Sequence, residues 1–229
     1  LIKKMLDVFI KFQSDEDVRV VVLKGNGDHF CAGADIDWML KLSQSSFELS
    51  RDDARNFACL LSQMYLFPKP IITLVQGSVL GGGLGLLACS DIVIAAHEAS
   101  FCFSEVKIGL VPAVISPYII SILGEHKARY YFLTAERFNA AEAYQIGLVH
   151  RLVAAEDLLP TYQSIVKMLL NNSPGALREV KRMLPLIASQ DISPELAEKT
   201  AEIYAKMRTS TQAREGLSAF LEKRSPLWK

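Results

Sequence analysis

The chain has 229 residues, half of them apolar and 22% charged, enough for one sizeable globular domain with an appendage. Its 25 Lys and Arg balance 25 Asp and Glu, which excludes the basic footprint of a nucleic-acid binder or of a protein held on an anionic membrane. Cys31, Cys59, Cys89 and Cys102 form no CxxC pair, so neither a disulfide framework nor a metal site is expected, and the reading is a cytoplasmic protein with reduced thiols.

In chain order, Ile2, Met5, Leu6, Phe9 and Ile10 lie on one face of an opening helix. No capping residue precedes Leu1, so the pattern reads as starting inside a helix, with further sequence expected before it. Residues 18–23 are a β-branched run closed by Gly25-Asn26-Gly27, the signature of a buried parallel strand. Residues 43–52 are polar and Ser-rich and read as a mobile loop, with Asp52 and Asp53 as a charge cluster at the start of the next helix. That helix carries Ala54, Phe57, Ala58, Leu61, Met64 and Tyr65 at helical spacing and is stopped by Pro68 and Pro70. The 19 residues from Ile71 to Cys89 lack charge, but Gln76, five glycines and the bounding Pro70 and Asp91 favour a strand, a glycine loop and a short helix over a membrane span.

Strands are expected at Ile71–Val75, Ile92–Ala96, 100–104 and 148–153, with helices at 84–88, 125–134 and 140–147. Strands alternating with helices specify an α/β domain with parallel strands. From about Pro160 only amphipathic helices follow, one running through Leu170 and others opening at Pro174, Pro194 and Thr211. The division expected is therefore a core over residues 1–159 and a helical region over 160–229.

Two stretches of small residues follow strands. His29-Phe30-Cys31-Ala32-Gly33-Ala34-Asp35-Ile36 precedes one helix, and Gly81-Gly82-Gly83 precedes another. Both offer free backbone N–H donors with little side chain in the way. A pair of such donors aimed at one oxygen would stabilise an enolate or oxyanion, each donor worth roughly 3 kcal/mol in a transition state. A phosphate loop is the poorer reading, because no lysine follows the glycines and GxGxxG is absent. Glu105 stands at the end of the apolar stretch Phe101–Phe103 and before Ile108-Gly109-Leu110-Val111-Pro112. Such surroundings favour the neutral carboxyl, which suits proton transfer near neutral pH, although pairing with Lys107 is the plain structural alternative. His29, His97, His126 and His150 are scattered and support no catalytic triad.

Taken in order, FCAGADI, GSVLGGGLGL, SDIVIAA, FSEVKIGLVP and AAEAYQIGLV resemble the motifs of the enoyl-CoA hydratase/isomerase (crotonase) superfamily, with a fainter match in EGLSAFLEKRSP. GLVPAVISPYII and YFLTAERFNAAEA are most similar to bacterial methylglutaconyl-CoA hydratases. The resemblance implies a crotonase-like spiral of ββα units with a C-terminal helical oligomerisation region, assembled as a trimer or a dimer of trimers. It implies a catalytic Glu105, with the thioester oxygen between the N–H groups of Ala34 and Gly82. It also implies that Ala32, Ala34, Asp35, Ile36 and Asp37 line the path of coenzyme A, and that Phe220 and Lys223 reach a neighbouring subunit's coenzyme A. The substrate carries coenzyme A, and no separate cofactor is implied. Trp38, Gly85 and Pro112 fall at the substrate pocket. Two departures stand out: the family's N-terminal hairpin has no counterpart before Leu1, and its second glutamate falls on Gly85. The activity implied is hydration of an enoyl-CoA, 3-methylglutaconyl-CoA first among substrates. A Δ3,Δ2-enoyl-CoA isomerase using one glutamate and a non-catalytic acyl-CoA-binding homologue are the alternatives.

Overall fold

The computed structural model describes residues 1–228. Helix α1 (Ile2–Ser14) leads to strand β1 (Val21–Lys24), then helices α2 (Ile36–Ser43) and α3 (Phe47–Tyr65). Two β–β–α turns follow. The first is β2 (Ile71–Val75), β3 (Ser78–Leu80) and α4 (Gly82–Ala88). The second is β4 (Ile92–Ala96), β5 (Ser100–Cys102) and α5 (Ser116–Thr134), which is interrupted at Gly124. Strand β6 (Phe138–Asn139), helix α6 (Ala140–Gln145) and strand β7 (Arg151–Val153) close this part. Helices α7 (Leu158–Leu170), α8 (Pro174–Ala188), α9 (Pro194–Arg208) and α10 (Thr211–Leu221) complete the chain.

In each β–β–α turn, one strand joins each of two sheets. The larger sheet has the order β1-β2-β4-β7 and is parallel throughout. The smaller has the order β3-β5-β6, with β3 parallel and β6 antiparallel to β5. All five residues of β2 are buried, as a parallel strand covered on both faces requires. Leu60, Leu61 and Met64 of α3, Phe67, and Leu84 and Leu87 of α4 pack into the same core. Phe9 of α1 meets Phe67 edge-on at 5.2 Å, a geometry that adds about 0.5–1.5 kcal/mol beyond burial. Leu158 and Ile165 bring α7 onto the other face of the larger sheet, against Ile72, Leu74 and Ile94.

Two largely buried lysines tie the sequence-distant parts together. Lys69 Nζ donates to the carbonyls of Phe12 and Asp15 at the end of α1. Lys181 Nζ, on α8, donates to the Lys69 carbonyl and pairs with Asp91, whose carboxylate also accepts the Ile71 N–H. Burial lowers the pKa of both lysines, opposed at Lys181 by Asp91.

Several expectations are corrected. Residues 43–52 are not a loop: α2 ends at Ser43, and Ser46 caps α3 by accepting the Leu49 N–H at 3.4 Å. Asp52 and Asp53 therefore lie in the second turn of α3 rather than at its start. Ile10 is exposed while Phe9 and Phe12 turn inward. The strands expected at 18–23, 100–104 and 148–153 are trimmed to Val21–Lys24, Ser100–Cys102 and Arg151–Val153. Among the described residues, no helix is long and apolar enough to cross a membrane.

Candidate active site

The segment after β1 is pinned to the start of the smaller sheet. Phe30 N–H donates to the Gln76 carbonyl at 2.8 Å and Cys31 N–H to the Ser78 carbonyl at 3.1 Å. Leu80 N–H returns to the Cys31 carbonyl at 2.9 Å, so Cys31 runs parallel to β3 beside Val79. His29 contributes structurally, its Nδ1 accepting the Ser78 N–H at 3.1 Å. This anchoring packs Cys31 against Gly83, where a Cβ would fall 2.7 Å from the Cys31 Cβ, and sets Gly33 beside Leu80. All of residues 32–38 are exposed, and Asp35 caps α2 by accepting the Trp38 N–H at 3.0 Å.

Strand β3 ends at Leu80, and the chain turns sharply into α4. Gly81 has φ 51° and ψ −122°, in the region that favours glycine. A Cβ at Gly81 would stand 3.2 Å from Glu105 Oε1, so the glycine lets the carboxyl approach the turn. Gly82 is the first residue of α4, where a backbone N–H has no partner one turn back. Among the described residues, no acceptor receives the N–H of Ala34 or of Gly82.

Glu105 opens a short 3-10 helix, Glu105–Ile108, directly after β5 and Ser104. Its Oε2 is buried without a hydrogen-bond partner. Burial pushes its pKa above the usual carboxylate range, against a smaller lowering by a backbone hydrogen bond. The pairing with Lys107 does not form: Lys107 Nζ lies 3.9 Å from Cys102 Sγ, which itself faces the Ala135 carbonyl. A buried carboxyl oxygen left without a partner is costly, and a proton on it can be taken or given within the pocket.

The position of Gly85, one turn along α4, is filled from outside. A Cβ there would fall 2.4 Å from Ile115 Cγ2 and 3.2 Å from Leu61 Cδ1. The room that the absent side chain would leave is thus occupied by Ile115 and Leu61, and no carboxylate stands beside Glu105 from that direction. Pro112 is buried just before Ile115, and Trp38 is half-exposed with Nε1 donating to Asp53 Oδ1 on α3 at 3.3 Å. Phe220 and Lys223 lie at the far end of the chain on exposed surface, Phe220 being 81% accessible.

Three contributors were invisible in the sequence: Ile115 and Leu61 at Gly85, and Phe57, whose ring lies over Gly82. The one sequence signal was the spacing Asp53, Phe57, Leu61, which sets one stripe of α3 toward α2 and α4. No group of three His, Cys, Asp or Glu able to hold a metal exists among the described residues.

The family model described as enoyl-CoA hydratase/isomerase matches residues 1–229. An enoyl-CoA hydratase of Shewanella pealeana has a similar solved structure, 45% identical, with a TM-score of 0.96 over 99% of this chain and 85% of that one. AtuE of Pseudomonas aeruginosa is 35% identical with a TM-score of 0.94, over 99% and 88%. Carnitinyl-CoA dehydratase of Proteus mirabilis is 28% identical over 239 residues, 99% of this chain and 87% of that protein. The fold is accordingly the mixed α/β crotonase fold with a C-terminal helical region.

Proposed function

As the chain belongs to the enoyl-CoA hydratase/isomerase family, we propose that it is a hydratase that adds water reversibly across the α,β double bond of an enoyl-CoA thioester. The observation that carries this reading is the Glu105 carboxyl lying against Gly81, its buried Oε2 without a hydrogen-bond partner, next to the free N–H of Gly82. In the addition, the carboxylate takes a proton from water as its oxygen bonds to C3. The electron pair of the double bond moves into the thioester, whose oxygen is held by the N–H groups of Ala34 and Gly82. The same carboxyl then returns the proton to C2, and elimination runs the steps backward. A raised pKa brings its protonated and ionised forms closer to balance at neutral pH, as a group serving both roles needs.

Within this class, 3-methylglutaconyl-CoA is the substrate we put first. Gly85 supports it in one respect, that no second carboxylate on α4 is present to repel the substrate's own. Two such charges about 4 Å apart repel by roughly 4 kcal/mol at an effective dielectric of 20. Ala32, Asp35, Ile36 and Asp37 would border the coenzyme A path, consistent with their exposure. The active form would be a trimer or dimer of trimers joined through the C-terminal helices, with Phe220 and Lys223 meeting a neighbour's coenzyme A.

A second reading, Δ3,Δ2-enoyl-CoA isomerisation, is favoured by one observation: Ile115 and Leu61 close the space at Gly85, leaving a single carboxyl. One carboxyl can take a proton from C2 of a 3-enoyl thioester and return it to C4 without water. Incubation with crotonyl-CoA, a 3-enoyl-CoA and 3-methylglutaconyl-CoA in deuterated water separates these readings. Hydration yields a 3-hydroxyacyl product carrying deuterium at C2. Conversion of only the 3-enoyl thioester, with no hydroxyacyl product from any substrate, would replace the hydratase reading by the isomerase.

A further inference from the structure

Ser104 stands between β5 and the short 3-10 helix that Glu105 opens. A serine in that place ordinarily turns its hydroxyl to the free N–H groups of the helix start. Ser104 does not. Its side chain makes no capping hydrogen bond, and only its carbonyl serves the turn, accepting the Lys107 N–H at 3.1 Å. The hydroxyl lies beside Gly81 instead, with Oγ 3.7 Å from the point that a Cβ of Gly81 would occupy. Glu105 Oε1 lies 3.2 Å from the same point. Among the described residues, Ser104 Oγ has no hydrogen-bond partner, and Ser104 is only partly buried, so water can reach it.

Gly81 keeps this space open for a backbone reason. Its φ of 51° with ψ −122° disfavours any residue with a side chain, so no methyl fills the place that the two oxygens border. The addition needs more there than a base. A water that meets Glu105 alone can swing about one hydrogen bond, and α4, with the sequence GGLGLLA, brings no polar side chain to steady it. A water molecule has two protons to donate and a hydroxyl oxygen can accept one. With one proton directed to Glu105 and the other to Ser104 Oγ, a lone pair of the water oxygen is left for C3.

We infer that Ser104 is a further catalytic residue of the hydration: its hydroxyl, together with the Glu105 carboxylate, holds the attacking water in front of Gly81. This inference rests on the hydratase reading and on Glu105 as its base. In the step, the water oxygen bonds to C3, one water proton passes to Glu105, and the electron pair of the double bond moves toward the thioester oxygen. The second water proton stays on the oxygen as the product hydroxyl, hydrogen-bonded to Ser104. Ser104 keeps its own proton throughout. One carboxyl then suffices for the chemistry, because a neutral partner does the orienting.

The test compares the wild type, Ser104→Ala and Ser104→Thr in two reactions. Crotonyl-CoA hydration needs the held water. Exchange of a C2 proton of butyryl-CoA in deuterated water needs only Glu105 and the N–H groups at the thioester oxygen. Ser104→Ala should lose at least about tenfold in kcat for hydration, with KM within about threefold, as loss of orientation predicts. Its exchange at C2 of butyryl-CoA should stay within about twofold of the wild type. Ser104→Thr keeps a hydroxyl and should hydrate at least about threefold faster than Ser104→Ala. Exchange that falls together with hydration in Ser104→Ala would overturn the inference, because a displaced Glu105 slows both. Hydration by Ser104→Ala within about threefold of the wild type, or a Ser104→Thr protein no faster than Ser104→Ala, would overturn it as well. All of these outcomes leave the hydratase reading standing. A wild type that hydrates neither crotonyl-CoA nor 3-methylglutaconyl-CoA would remove that reading, and the role of Ser104 with it.

Discussion

The strand β2 is buried along its whole length, whereas none of the fifteen residues of helix α8 is buried. Helices α9 and α10 bury only Leu196 and Ala219. Around β2, α4 and the second half of α3, Leu60, Leu61, Met64, Leu84 and Leu87 are buried together, and the candidate site is assembled from contacts a few ångströms wide. Along α8 to α10, Leu184, Tyr204, Leu217, Phe220 and Leu221 face outward. The first region is finished by its own packing and the second is not. Apolar surface of that kind is where association is expected, and the oligomeric state tests it.

The difference can be broken most sharply at Glu105. Glu105→Gln keeps the shape of the buried group and removes its proton, so turnover should fall about 10²-fold or more while thioester binding survives. Activity within about tenfold of the wild type would move the acid–base role to another residue. The same variant has a pH signature. A buried carboxyl with a raised pKa favours the folded state while protonated, and that contribution is lost as pH rises through the folded-state value. Melting curves should show Glu105→Gln gaining on the wild type toward neutral pH, with the gap closing in the ordinary carboxylate range. A pH-independent gap would contradict the burial of an ionisable group there.

Gly82 gives the next effect. Proline is tolerated in the first helical position but has no N–H, so Gly82→Pro should lose about 10²-fold in rate. Its Cβ also meets Phe57, which makes Gly82→Ala the necessary control: the same crowding with the donor retained. Equal losses in the two variants would attribute the effect to the ring rather than to the donor.

The contact at Gly85 was not legible in the sequence, and the reason is physical. Ile115 lies thirty residues away and reaches Gly85 only because the sequence between them makes one complete turn of the fold. Phe57 read simply as one apolar position among several on α3, since nothing local marks the ring that meets Gly82. The polar run through Ser45 and Ser46 looked like a loop because a helix end and a helix cap carry the same serines. β3 escaped because three residues in an uncharged run show no period of their own. By contrast, β2, β4 and the starts of α8 to α10 were legible, from unbroken apolar runs and from Ser or Pro at the helix start. The apolar setting of Glu105 was legible for a related reason: an acid between apolar runs has few neighbours to pair with. Gly85→Glu now has a stability outcome that the sequence did not show. Its Cβ overpacks Ile115, costing about 1–3 kcal/mol, and Tm should fall by roughly 2–4 °C for each kcal/mol. The double change Gly85→Ala with Ile115→Val should be less harmful than the sum of its parts, as measured in a double-mutant cycle.

The smallest effect on the fold itself is expected at the open end. Phe220→Asp with Leu221→Asp should leave the melting of the single chain within about 0.5 kcal/mol, because neither side chain is buried. Light scattering should show the wild type as an oligomer at micromolar concentration and this variant shifted to smaller species. A wild-type monomer would contradict the role assigned to these helices.

The paired lysines have a consequence for how the molecule comes apart. Lys69 reaches back to the end of α1, and its own carbonyl receives Lys181 from α8, so residues 69–71 form a junction of segments more than fifty positions apart in both directions. None of these bonds can form until the intervening chain has been drawn together, and each leaves a buried polar group stranded if its partner departs. Opening of α1 should therefore loosen α8 as well, so that amide hydrogen exchange in the two helices is expected to respond together, although they are separated by most of the polypeptide.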